Sequence, residues 1–224
     1  MRYVVFSDIH SNLEALEAVL QSLKTEEVAG YFCVGDIVGY GADPKACIKM
    51  IRELNCLTVC GNHDWAAVDL IDYSYFNVNA RASVDWTKTQ LDDSGKNYLK
   101  GLPLKYEDEE ITLVHGSLER PEEFGYIFGE ADASRTLDLC RTIICFVGHT
   151  HSPAKFTEGG KRLVNVGSVG QPRDNDPRAA YCVYDTDTGT AEIRRVKYDI
   201  RKAMNKILDA GLPEMLAYRL LEGS

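Results

Sequence analysis

All five histidines of this chain come just after short, apolar, β-rich runs. His10 lies in SDIH, behind Arg2 to Ser7 (RYVVFS). His63 lies in GNHD, behind Leu57 to Cys60 (LTVC). His115 lies in VHGS, behind Ile111 to Val114 (ITLV). His149 and His151 lie in GHTH, behind Ile143 to Val147 (IICFV), and Tyr31 to Val34 (YFCV) delivers Asp36 in GDIVGYG in the same way. In open α/β sheets, sites form in the crevice outside the carboxyl ends of the strands. A fold compatible with this chain must therefore bring five strand ends to one place.

The segments between these runs support that architecture. Leu13, Leu16, Val19, Leu20 and Leu23 recur at helical spacing behind Asn12, a residue suited to an N-cap. ADPKACIKMIREL places Asp43 as cap and Pro44 at the first helical position. Strand, helix, strand, helix, strand is the pattern of an α/β unit with parallel strands. Residues 65–101 read as helical and polar, with no strand candidate. Strands are expected again at Arg162–Val166, Ala180–Tyr184 and Ala191–Val196, the last two joined as a hairpin by DTDTG. The tail from Asp199 to Leu221 reads as helix broken at Gly211-Leu212-Pro213.

At 224 residues, one domain spanning 1–224 with a substantial core is expected. No apolar run approaches the ~20 residues that cross a bilayer, and MRYVVFSDIH reads as a folded strand rather than a signal peptide. A cytoplasmic protein is the expectation. The formal charge of −9 argues against broad binding to nucleic acid, although it leaves room for a nucleotide substrate beside a metal. The seven cysteines lack CxxC spacing and read as reduced core residues.

Asp, Asn and His are the donors that suit divalent first-row metals, and no cysteine falls in these motifs. Asp8 and His10, like His149 and His151, stand at i and i+2, which on an extended segment point to one side. Each pair is thus expected to enter one cavity from one strand end.

SDIH, GDIVGYG, GNHD, VHG and GHTH together resemble the signature of the calcineurin-like metallophosphoesterases. The likeness spans nearly the whole chain. It is closest to small bacterial and archaeal members, in which loops similar to NVGSVGQPRD and tails similar to GLPEMLAYRLLEG occur. The resemblance implies a four-layer α/β/β/α sandwich of two mixed β-sheets flanked by helices. It also implies two divalent metal ions, Mn first, with Fe, Zn or Ni as alternatives. One ion would be held by Asp8, His10, Asp36 and His151, and the other by Asp36, Asn62, His115 and His149, with Asp36 bridging. Such a pair activates a shared water as hydroxide and neutralises phosphoryl oxygens. His63 would not be a ligand but would protonate the leaving oxygen or stabilise its charge. Asp64 would orient that imidazole and raise its pKa.

The activity implied is hydrolysis of phosphodiester or nucleotide phosphoanhydride bonds in a small phosphorylated substrate, such as a nucleotide or dinucleoside polyphosphate. The alternatives are a phosphomonoesterase and a non-catalytic scaffold. SDIHSN and GDIVGYG depart from the pattern of protein Ser/Thr phosphatases. Gly35, Gly61 and Gly148 stand where the chain turns off a strand, and Gly167 and Gly170 flank Ser168 in a loop that could approach phosphate. Arg173 either clamps phosphate or pairs with Asp174 or Asp176, and Tyr40 is expected to line the site. Trp65, Tyr73, Tyr75, Phe76 and Trp86 make residues 65–101 either a cap over the site or, for most of these rings, helical core. A homo-oligomer is compatible with the sequence, with Leu212–Leu221 as an interface or a core helix.

Overall fold

The computed structural model describes all residues, 1–224, and builds them into two five-stranded sheets. The first has the order β10-β9-β1-β2-β3, from Thr190–Val196, Ala179–Asp185, Arg2–Phe6, Gly30–Cys33 and Leu57–Thr58. β1, β2 and β3 run parallel, while β9 runs antiparallel to β1 and forms a hairpin with β10. The second sheet has the order β4-β5-β6-β8-β7, from Lys105–Glu107, Ile111–Val114, Ile144–Val147, Lys161–Asn165 and Ala154–Glu158. Its central three strands are parallel and its two edges antiparallel.

The alternation of side chains along each strand assembles the layers. Val5, Val34, Ile144, Phe146, Val164 and Cys182 come from both sheets and pack in one buried cluster between them. Val4 and Phe6, one residue off this register, turn to the other face. There they join Leu16, Val19, Ile48 and Ile51 of α1 (Leu13–Ser22) and α2 (Pro44–Glu53). On the far side, Cys145, Val147 and Leu163 pack with Ala133 and Leu137 of α6 (Glu130–Leu139). The result is helix, sheet, sheet, helix, as the resemblance implied. Each fully buried aliphatic or aromatic side chain contributes about 1.5–3 kcal/mol; a one-residue slip of β1 would exchange its two apolar faces.

Helices α3 (Asn62–Ala66), α4 (Val78–Gln90) and α5 (Asp93–Lys100) fall within the stretch read as helical, but residues 67–77 between α3 and α4 form turns and bends. The final pair, α7 (Ile200–Asp209) and α8 (Glu214–Glu222), breaks at Gly211 as its sequence foretold. Leu216, Ala217 and Leu220 of α8 are buried with Ile207, Ala80 and Tyr40, so the tail is core and supports a residue beside the site.

Asn12 caps α1, its Oδ1 accepting from Ala15 N at 3.1 Å. Asp43 precedes α2 but makes no cap hydrogen bond; its Oδ2 accepts from Lys206 Nζ at 2.7 Å. Strands β4 and β7 and helix α6 were not foreseen. β4 and β7 are edge strands with half-exposed, polar sequences, and α6 buries only Ala133, Thr136 and Leu137.

Candidate metal centre and active site

The carboxyl ends of β1, β2, β3, β5 and β6 meet where the two sheets face each other. Asp8, His10, Asp36, Asn62, His115, His149 and His151 are all buried there. The segments leaving the strands are not extended, however. Asp8 (φ 53°), His10 (φ 48°), Asp36 (φ 56°), His149 (φ 66°) and His151 (φ 60°) all adopt left-handed backbone. The i and i+2 pairs do converge, but through sharp turns rather than strand alternation. Asp and His tolerate this region better than branched residues, yet it still costs on the order of 1–2 kcal/mol per residue. Its concentration at one site indicates a functional demand on the backbone.

Two glycines make the close approach possible. A Cβ on Gly61 would lie 2.0 Å from Asp36 Oδ1, and one on Gly148 would lie 2.1 Å from Ser7 Oγ and 2.5 Å from Asp8 Oδ2. The loop flanking Ser168 has a different task from the phosphate approach expected of it. A Cβ on Gly170 would meet Ile9 O at 1.8 Å, and Ser168 Oγ donates to Asp8 O at 2.8 Å. The loop packs against the turn that carries Asp8 and braces it from behind.

The ligand-type atoms form two adjoining groups, Asp8–His10–His151 and Asp36–His115–His149. Asp8 Oδ1 lies 3.3 Å from His151 Nε2 and 3.6 Å from His10 Nε2. Asp36 Oδ2 lies 3.3 Å from His115 Nε2 and 3.6 Å from His10 Nε2, between the groups. The other carboxylate oxygens are already engaged: Asp8 Oδ2 accepts from His149 N at 3.0 Å and Asp36 Oδ1 from His63 N at 2.8 Å. Each carboxylate is anchored by one oxygen and presents the other inward.

Backbone carbonyls fix three imidazoles in the same sense. His10 Nδ1 faces Val38 O at 3.0 Å, His115 Nδ1 faces Val34 O at 2.7 Å and His151 Nδ1 faces Gln171 O at 2.5 Å. A carbonyl can only accept, so each Nδ1 carries a proton and Nε2 is the ring atom turned inward, free to ligate when unprotonated. His10 Nε2 and His151 Nε2 then stand 3.0 Å apart as two acceptors. Asp8 Oδ1, Asp36 Oδ2, Asn62 Oδ1 and His115 Nε2 are buried without a hydrogen-bond partner. Such a concentration of converging acceptors is costly unless cations occupy the space between them. The donor set, nitrogen and oxygen without thiolate, fits divalent first-row metals.

Charge states agree. Burial alone would raise the Asp8 carboxyl, but His151, His10 and His115 hold it well below the usual carboxylate range. The same opposition, with His115 and His63 against burial, lowers Asp36. Burial carries His149 and His151 down to about 3, keeping both imidazoles neutral and able to ligate. His115 moves the other way, to about 9, because Asp36 overcomes its burial. Both carboxylates thus favour positive charge beside them.

Asp64 does not orient His63. Its Oδ2 accepts from Asp36 N at 2.8 Å and Gly61 N at 3.0 Å, and its Oδ1 from Ile37 N at 2.9 Å and Val38 N at 3.1 Å. The carboxylate clamps the Asp36 turn to the start of α3. The His63 ring instead rests among Tyr40 (centroids 4.5 Å apart), His10 (5.0 Å) and Phe76 (5.0 Å), with Nδ1 buried and unpartnered. Burial drives its pKa well below the ordinary value, the reverse of the elevation expected, so the ring is neutral.

Arg173 pairs with neither candidate acid. Asp174 binds Arg195 and Asp176 binds Arg178, while Arg173 donates to Gln171 Oε1 at 2.8 Å. Its guanidinium lies 5.6 Å from the centroid of Tyr40, and its Nε is buried without a partner. Beside the histidines opens a cavity of about 360 Å³, lined in part by Tyr40, Asn62, His63 and His149. The segment after VHGS, which sequence reasoning passed over, also reaches it. Ser117 N donates to Gly125 O at 2.9 Å, and Tyr126 stacks on His149 with centroids 4.0 Å apart. The closely spaced rings of EFGYIF were the available signal.

Comparison with known proteins agrees with this geometry. Residues 1–189 match the calcineurin-like phosphoesterase superfamily domain. An uncharacterized protein of Methanocaldococcus jannaschii is 41% identical, the alignment covering 98% of this chain and 97% of that protein. A phosphodiesterase of Escherichia coli, YfcE, is 26% identical over 84% of this chain and 89% of its own. The crystal structure of a metallophosphoesterase from Sphaerobacter thermophilus superposes with a TM-score of 0.90 at 37% identity, covering 100% of both chains.

Proposed function

Since the chain belongs to the calcineurin-like phosphoesterase superfamily, we propose that it hydrolyses phosphodiester or nucleotide phosphoanhydride bonds in small substrates at a two-metal site. One observation carries the reading: His10 Nε2 and His151 Nε2, both acceptors, lie 3.0 Å apart against the inward oxygen of Asp8. Asp8, His10, Asp36 and His151 would hold one ion, and Asp36, Asn62, His115 and His149 the second. Divalent cations there supply Lewis-acid stabilisation of the phosphoryl oxygens and activation of water. Mn leads the candidates, with Fe, Zn and Ni also suited to these donors.

The chain's own residues do the rest. Asp36 presents Oδ2 between the two groups, where it would serve both ions. His63, neutral and outside both groups, donates a ring N–H to the leaving oxygen as charge develops on it. Asp64 acts through the backbone, fixing Asp36 and α3 rather than touching substrate. Tyr40 walls the site beside His63, and Arg173 contacts a phosphoryl oxygen. The 65–101 segment belongs to the single domain 1–224 and walls the substrate cavity rather than forming a separate cap.

The unpaired Arg173 also favours a second reading, a phosphomonoesterase, because a terminal phosphoryl dianion calls for an additional cation. The experiment is metal reconstitution. Chelated protein is expected to take up two Mn²⁺ per chain and regain hydrolysis of bis-p-nitrophenyl phosphate, with p-nitrophenyl phosphate turned over more slowly. Reversal of that order supports the monoesterase, and uptake without hydrolysis of either defeats both readings.

A further inference from the structure

The cavity beside His63 differs in character from the metal groups. Its wall carries Tyr75, Phe76, Phe124 and Tyr126, and no lysine or arginine contributes to it. The one charged side chain lining it is acidic, that of Glu123, which pairs with Arg120. A polyphosphate chain extending this way would meet no free cation on the wall itself, since Arg120 is engaged by Glu123. A flat, uncharged group would meet the rings of Tyr40, Tyr75, Phe76, Phe124 and Tyr126, with Asn62 and Asn77 offering polar contacts between them. The volume of about 360 Å³ is at the small end of ligand pockets and suits one ring system with its sugar, not two nucleosides.

Tyr75 carries the argument furthest. It is 68% exposed and has no place in any buried cluster. Its ring partner is Phe76, met edge to face at 5.0 Å, and Phe76 in turn packs on the His63 ring at 5.0 Å. The fold gains little from an aromatic ring so exposed, yet the position places it in the cavity that opens from His63. The cavity opens from the His63 ring, so on the leaving-group role proposed for His63 above it is the space available to the departing group.

We propose that Tyr75, with Phe76, is the specificity-determining wall for an uncharged planar leaving group, a nucleoside bearing its base, and that the pocket rejects polyphosphate leaving groups. This rests on the hydrolase reading above and selects the nucleoside ester from the substrates it allows. The bond broken is that between phosphorus and the nucleoside oxygen; water supplies the new oxygen, and the nucleoside departs as the alcohol.

The test compares adenosine 5′-(methyl phosphate) with the corresponding methyl phosphate of a methyl riboside, using Mn²⁺-loaded full-length protein. Both esters share the same 5′-alkoxide leaving group and differ in the base. The wild-type ratio of kcat/KM is expected to favour the base-bearing ester about tenfold, through KM, as suits one stacking contact. Tyr75→Ala should collapse the ratio toward unity, and Tyr75→Phe should retain it. A wild-type ratio near unity, or one that survives in Tyr75→Ala, overturns the proposal while leaving the hydrolase reading intact. Failure to hydrolyse either ester or bis-p-nitrophenyl phosphate overturns the hydrolase reading and this proposal with it.

Discussion

The Asp64 carboxylate accepts the backbone N–H of Asp36 at 2.8 Å, joining two residues 28 positions apart and setting the turn from which Asp36 projects. Together with the N–H groups of Ile37, Val38 and Gly61, this satisfies the buried Asp64 carboxyl entirely by backbone, against the burial and the neighbouring Asp36 that push its pKa up to about 7. Asp64→Asn replaces one oxygen with an NH₂ that points at N–H groups. The expected cost is about 3–5 kcal/mol in denaturant unfolding, with Mn²⁺ affinity falling about 10–100-fold as for other residues that brace ligands. Unchanged stability and metal affinity, with only the pH–rate profile displaced, would restore the idea that Asp64 serves the His63 ring.

His63 contributes its ring to neither metal group, so its loss should separate metal binding from turnover. His63→Ala and His63→Gln are expected to retain both Mn²⁺ ions while kcat falls about 10²–10⁴-fold, the range typical of a removed proton or hydrogen-bond donor. Metal content by mass spectrometry and single-turnover rates check this. The deficit should be larger for alkyl esters than for p-nitrophenyl esters, whose stable leaving group needs little help. Equal losses on both would remove His63 from the leaving-group side.

Gly61 offers a steric test free of backbone strain, since its φ of −105° is open to any residue. A Cβ there would sit 2.0 Å from Asp36 Oδ1 and 2.4 Å from Asp36 N. Neither atom can retreat, because both are fixed by hydrogen bonds. Gly61→Ala should therefore cost about 3 kcal/mol or more and abolish tight binding of metal. Gly129→Ala, where nothing lies within 4 Å of the new Cβ, is the matched control and should stay within about 0.5 kcal/mol of wild type. Thermal unfolding of the two variants side by side, with and without Mn²⁺, distinguishes a local clash from a general effect of alanine.

Much of the site was legible because its chemistry is local. Asp8, Asp36, Asn62, His115 and the two GHTH histidines each follow an apolar strand, and parallel strands deliver their ends together without further instruction. What the letters did not convey arises from contacts between distant segments. The left-handed turns at Asp8 and Asp36 are held by partners such as Gly170 and Asp64, far away in the chain. Asp64 beside His63 suggested a pair, but the first turn of α3 directs the carboxylate back to the backbone and the imidazole outward to Tyr40 and Phe76. Tyr126 reaches His149 because Gly125 packs against Gly116, an approach no periodicity reveals. β7 escaped notice because an edge strand has no continuous apolar face, although Gly159-Gly160, both at positive φ, mark its hairpin.

Glu14 gives the fold an acid-sensitive joint outside the two candidate metal-binding groups. Its side chain is 4% exposed and binds Lys206 Nζ at 2.6 Å and Lys202 Nζ at 3.1 Å, tying α1 to α7, while Lys206 also binds Asp43 before α2. Burial would raise its pKa, but the hydrogen bonds from Lys206 and Lys202 prevail and the folded value lies below the ordinary 4.5. A carboxyl depressed by folding stabilises the protein above its unfolded pKa, and that contribution is lost as pH falls through the folded value. Glu14→Gln should thus lower stability by about 1–2 kcal/mol at pH 7, since the lysines are partly solvated and the pair is screened by salt. The difference from wild type should shrink as pH drops below about 4.5 and vanish once the wild-type carboxyl is protonated. Urea unfolding of metal-free protein at pH 7, 5 and 3.5 measures it. A constant difference across that range would mean that Glu14 acts through packing and shape rather than through its charge.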